Sequence, residues 1–138
     1  MDKGLFIVIL ALAGVVLVNI LSAPPPFEGK SELIHIEGSN FESEVLANPL
    51  PVLADFTSST CGQCRRMSPD IERLAVHFKE RVRVAKINVE KNPHIADRYG
   101  IRELPRLVIF ADGKPVHEVR PGRLRKMIAA VEESVANN

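Results

Sequence analysis

Cys61 and Cys64 are the only cysteines in the chain, and they lie between two segments of different pattern. The residues before them, 52–57, form a short apolar run typical of a buried strand. The residues after them, up to about Arg81, carry apolar side chains at helical spacing. A thiol pair at such a junction restricts the fold to one in which a helix begins where a strand of the sheet ends.

The rest of the chain alternates between strand-like and helix-like patterns. We predict strands over residues 33–37, 52–57, 82–89, 107–111 and 116–120, and helices over residues 39–47, 61–81, 92–100 and 124–135. Ser39 and Glu42 form a capping-box pattern at the start of the first of these helices. Asp112 and Gly113 are typical of a tight hairpin. This order predicts an α/β fold with a mixed central sheet, parallel early and antiparallel late, between layers of helices.

Size and charge exclude several classes of protein. The chain has 138 residues, and about 108 of them remain after the apolar first 30, which suits one compact domain. A balance of 18 Lys and Arg against 17 Asp and Glu argues against a nucleic-acid binder, which needs a basic surface. Two cysteines are too few for a disulfide-stapled scaffold or for a metal site with four thiolates.

Residues 4–21 form an apolar run of 18 residues whose only polar side chain is Asn19. A helix of this length, at about 1.5 Å per residue, would reach about 27 Å, which nearly spans a bilayer. The alternative is a cleavable signal peptide cut after Ala23. Leu21 and Pro24 are poorly suited to the positions around such a cut, so we favour an uncleaved anchor.

The chain therefore divides into three predicted parts. Residues 1–22 are a signal anchor or transmembrane helix, residues 23–32 a stiff Pro-rich linker, and residues 33–138 the folded domain. Lys3 favours an orientation with the N-terminus inside and the domain exported. We expect a membrane-anchored protein with its domain on the periplasmic or other extracytoplasmic side, or a secreted protein if the segment is cleaved.

The spacing of the cysteines predicts redox chemistry. Residues three apart in a helix's first turn share one face, so Cys61 and Cys64 can close a disulfide. Unpaired N–H groups at the helix start favour the Cys61 thiolate, the form that attacks disulfides. Cys64, one turn further in, suits the resolving role. Arg65 and Arg66 could support the thiolate, or they could be ordinary exposed helix residues.

Other uses of the pair remain open. It could be half of a zinc site, although the four histidines are scattered singly along the chain, or it could be two buried free thiols. It could hold Cu(I) in a metal chaperone with Met67 as a soft third ligand, although Met67 is more simply a core residue. The domain could also be a non-catalytic binding module.

Several segments follow one another in an order and spacing typical of one family: VLADF at 52–56, CGQC at 61–64, Pro69, VAKINVEKNP at 84–93, YGIRELP at 99–105 and LVIF at 107–110. On these segments, the chain from Leu33 to Ala136 resembles thioredoxin. The resemblance implies a three-layer α/β/α fold and thiol–disulfide exchange, most simply reduction of exported protein disulfides with electrons from an upstream thiol donor. It also implies that the cysteine pair itself carries the electrons, so that no bound cofactor is needed.

The resemblance assigns roles to residues around the pair. Asp55 matches a buried aspartate that accepts the proton of Cys64, through water, and Lys86 matches the lysine partner of that aspartate. Pro105 matches a cis proline packed against the cysteines. Such a bond would leave the Leu104 backbone free to pair with an extended substrate segment.

Three glycine and glutamine positions complete the implied substrate-binding set. Gly62 and Gln63 lie between the cysteines, and Gly122 matches a glycine that lines the family's groove. With Leu104 and Pro105 they predict a groove that recognises an extended polypeptide.

The chain departs from the family pattern at four positions near the pair. Thr57 and Thr60 stand where tryptophans are usual, Gln63 where proline is usual, and Arg106 where threonine is usual. These changes leave the partner and the reduction potential undetermined, so a disulfide oxidase or isomerase on the same fold remains an alternative.

Overall fold

The computed structural model describes residues 2–137, apart from the side chains of residues 19 and 20. Met1 and Asn138, the outer ends of the predicted anchor and domain, lie outside the described residues. The strands are β1 (Ile34–Ile36), β2 (Val52–Thr57), β3 (Arg83–Asn88), β4 (Arg106–Ala111) and β5 (Lys114–Val119). The helices are α1 (Lys3–Ser22), α2 (Gly62–Phe78), α3 (Pro93–Arg98) and α4 (Leu124–Ala136), with one π-helical turn at Glu42–Leu46.

The five strands form one mixed sheet in the order β1-β3-β2-β4-β5. Strands β1, β3 and β2 are parallel, whereas β4 and β5 are antiparallel additions on the other side of β2. This confirms the predicted mixed sheet with a late antiparallel edge. Because the parallel strands end at one edge, the segments that leave β2 and β3 come together there.

Two hydrophobic clusters cover the two faces of the sheet. One joins the sheet to the π-helical turn and α3, through residues such as Phe41, Val45 and Ile95. The other joins it to α2 and α4, through residues such as Ile71 and Met127. The helices therefore form two layers around the sheet. Because α2 follows β2 in the chain, it begins near the carboxyl end of that strand.

The helix predicted over residues 39–47 is wrong in its type and its start. Ser39 does not cap a helix, since its hydroxyl donates to the Glu37 carbonyl at 3.3 Å. The Glu42 carboxylate pairs with Arg98 instead of completing a capping box. What forms is a π-helical turn of five residues, Glu42–Leu46, which buries Val45 against the sheet. Packing of this turn against the sheet has outweighed the local capping signal.

The hairpin between β4 and β5 forms at the predicted residues. Asp112 and Gly113 both have positive φ, 51° and 78°, as a tight turn of this kind requires. Because the turn is so short, β5 begins at Lys114 rather than at the predicted residue 116.

The N-terminal segment contains a helix, α1, followed by a linker that contacts the domain. The Arg73 guanidinium donates to the carbonyls of Pro25 and Pro26 at 2.6 and 3.2 Å, and the Ser31 hydroxyl donates to Glu72 at 2.8 Å. In the part of the chain that the structure describes, no helix combines the length and apolar character needed to cross a membrane. The predicted helix is confirmed, and its membrane-spanning role is not.

Candidate active site

The cysteine pair lies where the loop after β2 turns into α2. Cys61 immediately precedes the helix, and its sulfur is bonded to that of Cys64 across a Cα–Cα distance of 5.3 Å. The Sγ of Cys61 also accepts the backbone N–H of Cys64 at 3.1 Å. The predicted disulfide across the first turn is therefore confirmed, and an N–H of the helix start points at the sulfur of Cys61.

The two cysteines differ in exposure. Cys61 is partly exposed, whereas Cys64 is buried, with 5% of its surface exposed. A partner protein can therefore approach the first sulfur and not the second. This is the arrangement that a nucleophile and a resolving thiol require.

The Leu104–Pro105 peptide bond is cis, as the resemblance implied. β4 begins at the next residue, Arg106, which pairs with Phe56 near the end of β2. Pro105 is thus at the same edge of the sheet as the loop that carries Cys61. Leu104 lies before the first paired residue of β4, outside the strand register.

Asp55 lies inside β2, directly beside Lys86 in the parallel register with β3. It is 4% exposed, and burial raises the pKa of its carboxyl to about 6 against the opposing effect of the Lys86 charge. Its Oδ1 has no hydrogen-bond partner among the described residues. The Lys86 ammonium donates to the Ser68 hydroxyl on α2 at 3.4 Å. A buried acid with a pKa near 6 is suited to accepting a proton near neutral pH.

A second carboxylate, Glu90, was missed by the sequence analysis. The backbone N–H and the hydroxyl of Ser59 donate to it at 3.1 and 2.7 Å, and these bonds lower the pKa of Glu90. The Arg65 guanidinium donates to the Ser59 carbonyl at 2.7 Å, so it holds the loop, while Arg66 is exposed. The sequence offered one indication of its role. Glu90 follows β3, and parallel strands β2 and β3 end at the same edge of the sheet, where the loop after β2 begins.

The remaining predicted residues lie at the surface or in the core. Gly62 and Gln63 are exposed in the first turn of α2, and Gly122 is exposed in the loop before α4. A Cβ built on Gly122 would meet nothing within 4 Å, so the structure gives no local packing reason for a glycine there. Met67 is buried, 7% exposed, in the cluster between α2 and the sheet, which favours its interpretation as a core residue. In residues 2–137 as described, no three His, Cys, Asp or Glu side chains cluster as metal ligands would.

The comparison with protein families matches the thioredoxin family over residues 32–133. The chain belongs to the thioredoxin family. It is 40% identical over 84 residues to thioredoxin 1 of Synechococcus elongatus, covering 61% of this chain and 78% of that one. It is 43% identical over 84 residues to thioredoxin of Porphyra purpurea, with the same coverage of 61% and 78%. Thioredoxin of Chlorobaculum thiosulfatiphilum is 41% identical over 90 residues, covering 65% and 83%.

Membership of the thioredoxin family and the closed cysteine pair agree on one class of reaction. The protein is a thiol–disulfide oxidoreductase that uses Cys61 and Cys64 as its redox pair. The thioredoxin-like α/β fold expected from the resemblance is likewise confirmed.

Proposed function

We propose that this protein reduces disulfide bonds in exported proteins, with Cys61 as the nucleophile and Cys64 as the resolving thiol. The observation that carries the proposal is the unequal exposure of the two bonded cysteines at the start of α2: Cys61 is partly exposed and Cys64 is buried. The reducing direction is supported by the relatives, which are named thioredoxins.

Reduction proceeds in two exchanges. The Cys61 thiolate attacks one sulfur of a substrate disulfide, a bond forms between them, and the other substrate sulfur leaves as a thiolate. The Cys64 thiolate then attacks the sulfur of Cys61, which closes the pair and releases the second substrate thiolate. Two electrons pass from the pair to the substrate, so no bound cofactor is needed. An external thiol donor reduces the pair again.

Asp55 accepts the proton of Cys64 in this proposal. Its raised pKa, about 6, leaves it mostly ionised at neutral pH and still basic enough to take a proton. Lys86, beside it in the sheet, acts as a positioning charge that keeps the carboxylate ionised.

The substrate backbone docks along the edge formed by Leu104 and Pro105. Leu104 lies outside the paired part of β4, which leaves its backbone as a site where an extended segment could add. In this proposal Gly62 and Gln63, exposed beside Cys61, contact the same segment, and the exposed Gly122 lines the groove, as the family resemblance implies.

Trapping in cells tests the proposed roles of the cysteines. In Cys64→Ser the second exchange cannot occur, so mixed disulfides with substrate proteins should accumulate on Cys61. They should appear as larger species on non-reducing electrophoresis. Cys61→Ser is the matched control and should trap nothing. Equal trapping by both variants, or by neither, would contradict the assignment of nucleophile and resolving thiol.

An insulin assay tests the direction of the reaction. The purified protein with dithiothreitol should reduce insulin disulfides and precipitate the freed chain, whereas Cys61→Ser should not exceed the dithiothreitol background. A protein that oxidises reduced substrates and fails to reduce insulin is a disulfide oxidase, which overturns the reductase assignment.

We also propose that α1 tethers the domain to a membrane, with the domain on the exported side. The support is the apolar sequence of residues 4–21 together with the exposure of large apolar side chains along α1. Exposed apolar side chains include Leu5, Phe6, Ile7, Leu10, Leu12, Val16, Leu17 and Leu21. Such a surface is costly in water and stable in lipid.

Membrane extraction tests the tether. The full chain should remain with membranes at alkaline pH, and a phosphatase fused after residue 138 should be active only if the domain is exported. Replacing Leu12 and Val16 with Lys should release the protein, whereas Lys30→Glu in the linker should not. Extraction of the unmodified chain into the soluble fraction would overturn the tether and leave the reductase proposal standing.

A further inference from the structure

Three exposed arginines follow the last strand, Arg120, Arg123 and Arg125, and we call them the arginine patch. Val119, the last residue of β5, pairs with Leu107 near the start of β4. Because β4 runs antiparallel to both β2 and β5, β5 ends at the edge of the sheet where β2 also ends. The arginine patch therefore lies at the same edge as the cis proline and the cysteine pair.

Helices α2 and α4 both begin at this edge and pack side by side on one face of the sheet. Further along them, the Glu132 carboxylate of α4 lies 3.7 Å from Nε2 of His77 on α2. Arg125 precedes Glu132 by about two turns, so it lies on the side of α4 that faces α2. Lys126 shares the other side of α4 with Glu133, which borders a cavity against β5, and is therefore outside the arginine patch.

Interactions within the domain do not account for the arginine patch. The sequence has no Asp or Glu from residue 119 to residue 131. In residues 2–137 as described, none of the three arginine side chains forms an ion pair, and the nearby Glu118 already pairs with Arg106 at 2.8 Å. Cations at the start of a helix oppose its macrodipole, so Arg123 and Arg125 do not stabilise α4. Their positive charge is therefore available to a partner.

The charge is uneven along the edge of the sheet. Among the described residues outside ion pairs, the half that belongs to β1 and β3 is nearly balanced, with Glu37, Glu90 and Lys91. Asp55 and Lys86 lie beside each other beneath the edge and offset each other. The half that belongs to β2, β4 and β5 carries one exposed acid, Glu103, against Arg65, Arg66, Arg120, Arg123, Arg125 and Lys126. The positive side is the side on which the proposed substrate groove lies.

We propose that the arginine patch binds an acidic segment of the substrate polypeptide, next to the disulfide that Cys61 attacks. The inference rests on the proposed function, because it names a class of substrate for the same exchange. Asp and Glu residues beside the substrate disulfide pair with the arginines while the extended backbone docks at Leu104. Complementary charge of this kind raises the rate of association and weakens with salt.

The position of the arginine patch favours a polypeptide over a lipid surface. An anionic membrane held against Arg120 and Arg123 would lie along the edge that carries Cys61, and it would close that edge to proteins. An acidic polypeptide segment instead occupies the arginines and presents its own disulfide to Cys61. The partly exposed Cys61 then stays open to the substrate that the arginines hold.

The first test uses synthetic peptides that share one disulfide and differ only in the residues beside it, which are glutamate, glutamine or lysine. The reduced full chain, in a non-ionic detergent, is mixed with each peptide, and its oxidation is followed by mass-resolved thiol labelling. At low salt the glutamate peptide should react roughly tenfold faster than the glutamine peptide, and the lysine peptide should be the slowest. At about 1 M salt, where the Debye length is about 3 Å, the rates should converge.

The second test removes the charges of the arginine patch. Arg120→Gln together with Arg123→Gln should lower the ratio of the glutamate rate to the glutamine rate roughly fivefold at low salt. Comparing this ratio between proteins cancels the intrinsic reactivity of each peptide. The urea midpoint of the double variant should not fall, because both side chains are exposed and Arg123 opposes the macrodipole of α4.

The matched control is Lys79→Gln together with Lys114→Gln. These exposed lysines carry the same charge at the opposite edge of the sheet, where α2 ends and β5 begins. The ratio should stay within about twofold of the wild-type value. An equal fall in both double variants would assign the preference to net charge and overturn the inference.

The remaining outcomes separate this inference from the proposed function. If the wild type reduces the glutamine peptide as fast as the glutamate peptide, the inference fails and the reductase proposal stands. If the reduced protein reacts with no peptide, both fail. The assay is repeated in vesicles of phosphatidylcholine with and without phosphatidylglycerol, and the glutamate preference should persist in both. Its loss only in the anionic vesicles would assign the arginine patch to lipid and overturn the inference.

Discussion

Two carboxylates flank the loop that carries Cys61, and they respond to the protein in opposite ways. Asp55, on the inner side, is buried, and burial raises its pKa to about 6. Glu90, on the outer side, is exposed, and hydrogen bonds from Ser59 lower its pKa. The same chemical group therefore has a raised pKa on one side of the loop, and on the other side a lowered pKa and hydrogen bonds that hold the loop.

The difference follows from the interactions that stabilise or destabilise the ionised form of each carboxylate. The bonds that Ser59 gives Glu90 stabilise the charged form, at 3.1 Å from the backbone N–H and 2.7 Å from the hydroxyl. Asp55 has lost solvent, and the charge of Lys86 on the neighbouring strand offsets only part of that loss. Desolvation therefore outweighs attraction at Asp55, while hydrogen bonding outweighs desolvation at Glu90.

The largest expected effect comes from Asp55→Asn on stability. A pKa of about 6 in the folded state against 3.8 in the unfolded state corresponds to about 3 kcal/mol lost when the carboxyl ionises. The folded state binds the extra proton between these values, so the free energy of unfolding falls as pH rises through that window and stays lower above it. Asn resembles the protonated form, so the variant should be more stable than wild type by about that amount at pH 7 and about equal to it at pH 4.

Urea unfolding at pH 4 and pH 7 measures this. A variant that is no more stable than wild type at pH 7 would mean that Asp55 gains interactions on ionising that match those of Glu90, and the contrast between the two sites would disappear.

The same substitution should slow catalysis. Without a proton acceptor, release of the trapped substrate should slow by about 100-fold, the lower end of the range for general acid–base catalysis. Stopped-flow measurement of product release in the wild type should show the rate rising with pH through about 6, the pKa of Asp55. The profile of Asp55→Asn should lack this rise, and a rise retained in the variant would assign it to another group.

Lys86→Met should have a smaller effect in the same direction. Removing the cation that lowers the pKa of Asp55 should raise that pKa above its wild-type value of about 6. The midpoint of the variant's rate profile should therefore lie at higher pH than the wild-type midpoint. At pH 7 the rate should fall less than in Asp55→Asn, because the acceptor is still present. Lys126→Met, exposed on α4, is the control and should leave the midpoint in place.

Glu90→Gln should have the smallest effect. A carboxyl with a lowered pKa stabilises the folded state above its unfolded value of 4.5, and this contribution is lost as pH falls through the folded pKa. The variant should be slightly less stable than wild type at pH 7, and the difference should vanish in strong acid. Urea midpoints at both pH values measure it, with the exposed Glu133→Gln as control. A difference that persists in acid would mean that Glu90 acts through packing rather than through charge.

Short-range patterns in the sequence predicted most of the secondary structure. Apolar runs found β2 and β4, helical spacing found α2 and α4, and Asp112 with Gly113 found the hairpin. These features depend on neighbouring residues, which is why a pattern can reveal them. The π-helical turn at Glu42–Leu46 escaped because Arg98, 56 positions away, takes the Glu42 side chain that the local motif required.

The residues of the site also differ in whether a local pattern in the sequence predicted them. The disulfide between Cys61 and Cys64 follows from a spacing of three residues and a helix start, so the sequence alone predicts it. Asp55, Lys86 and Pro105 were assigned by family resemblance, and their local sequence would not have singled them out. The hydrogen bond from Ser59 to Glu90 joins residues 31 positions apart, and no sequence motif predicts it.

The order of elements, the position of the thiol pair and the apolar character of the first helix are written in the sequence, because each depends on residues within a few positions of one another. Only the tertiary structure determined the pKa of Asp55, the hydrogen bonds from Ser59 to Glu90 and the burial of Cys64. Each of these depends on how completely distant segments exclude water from one place, and exclusion of solvent is a property of the assembled sheet and helices.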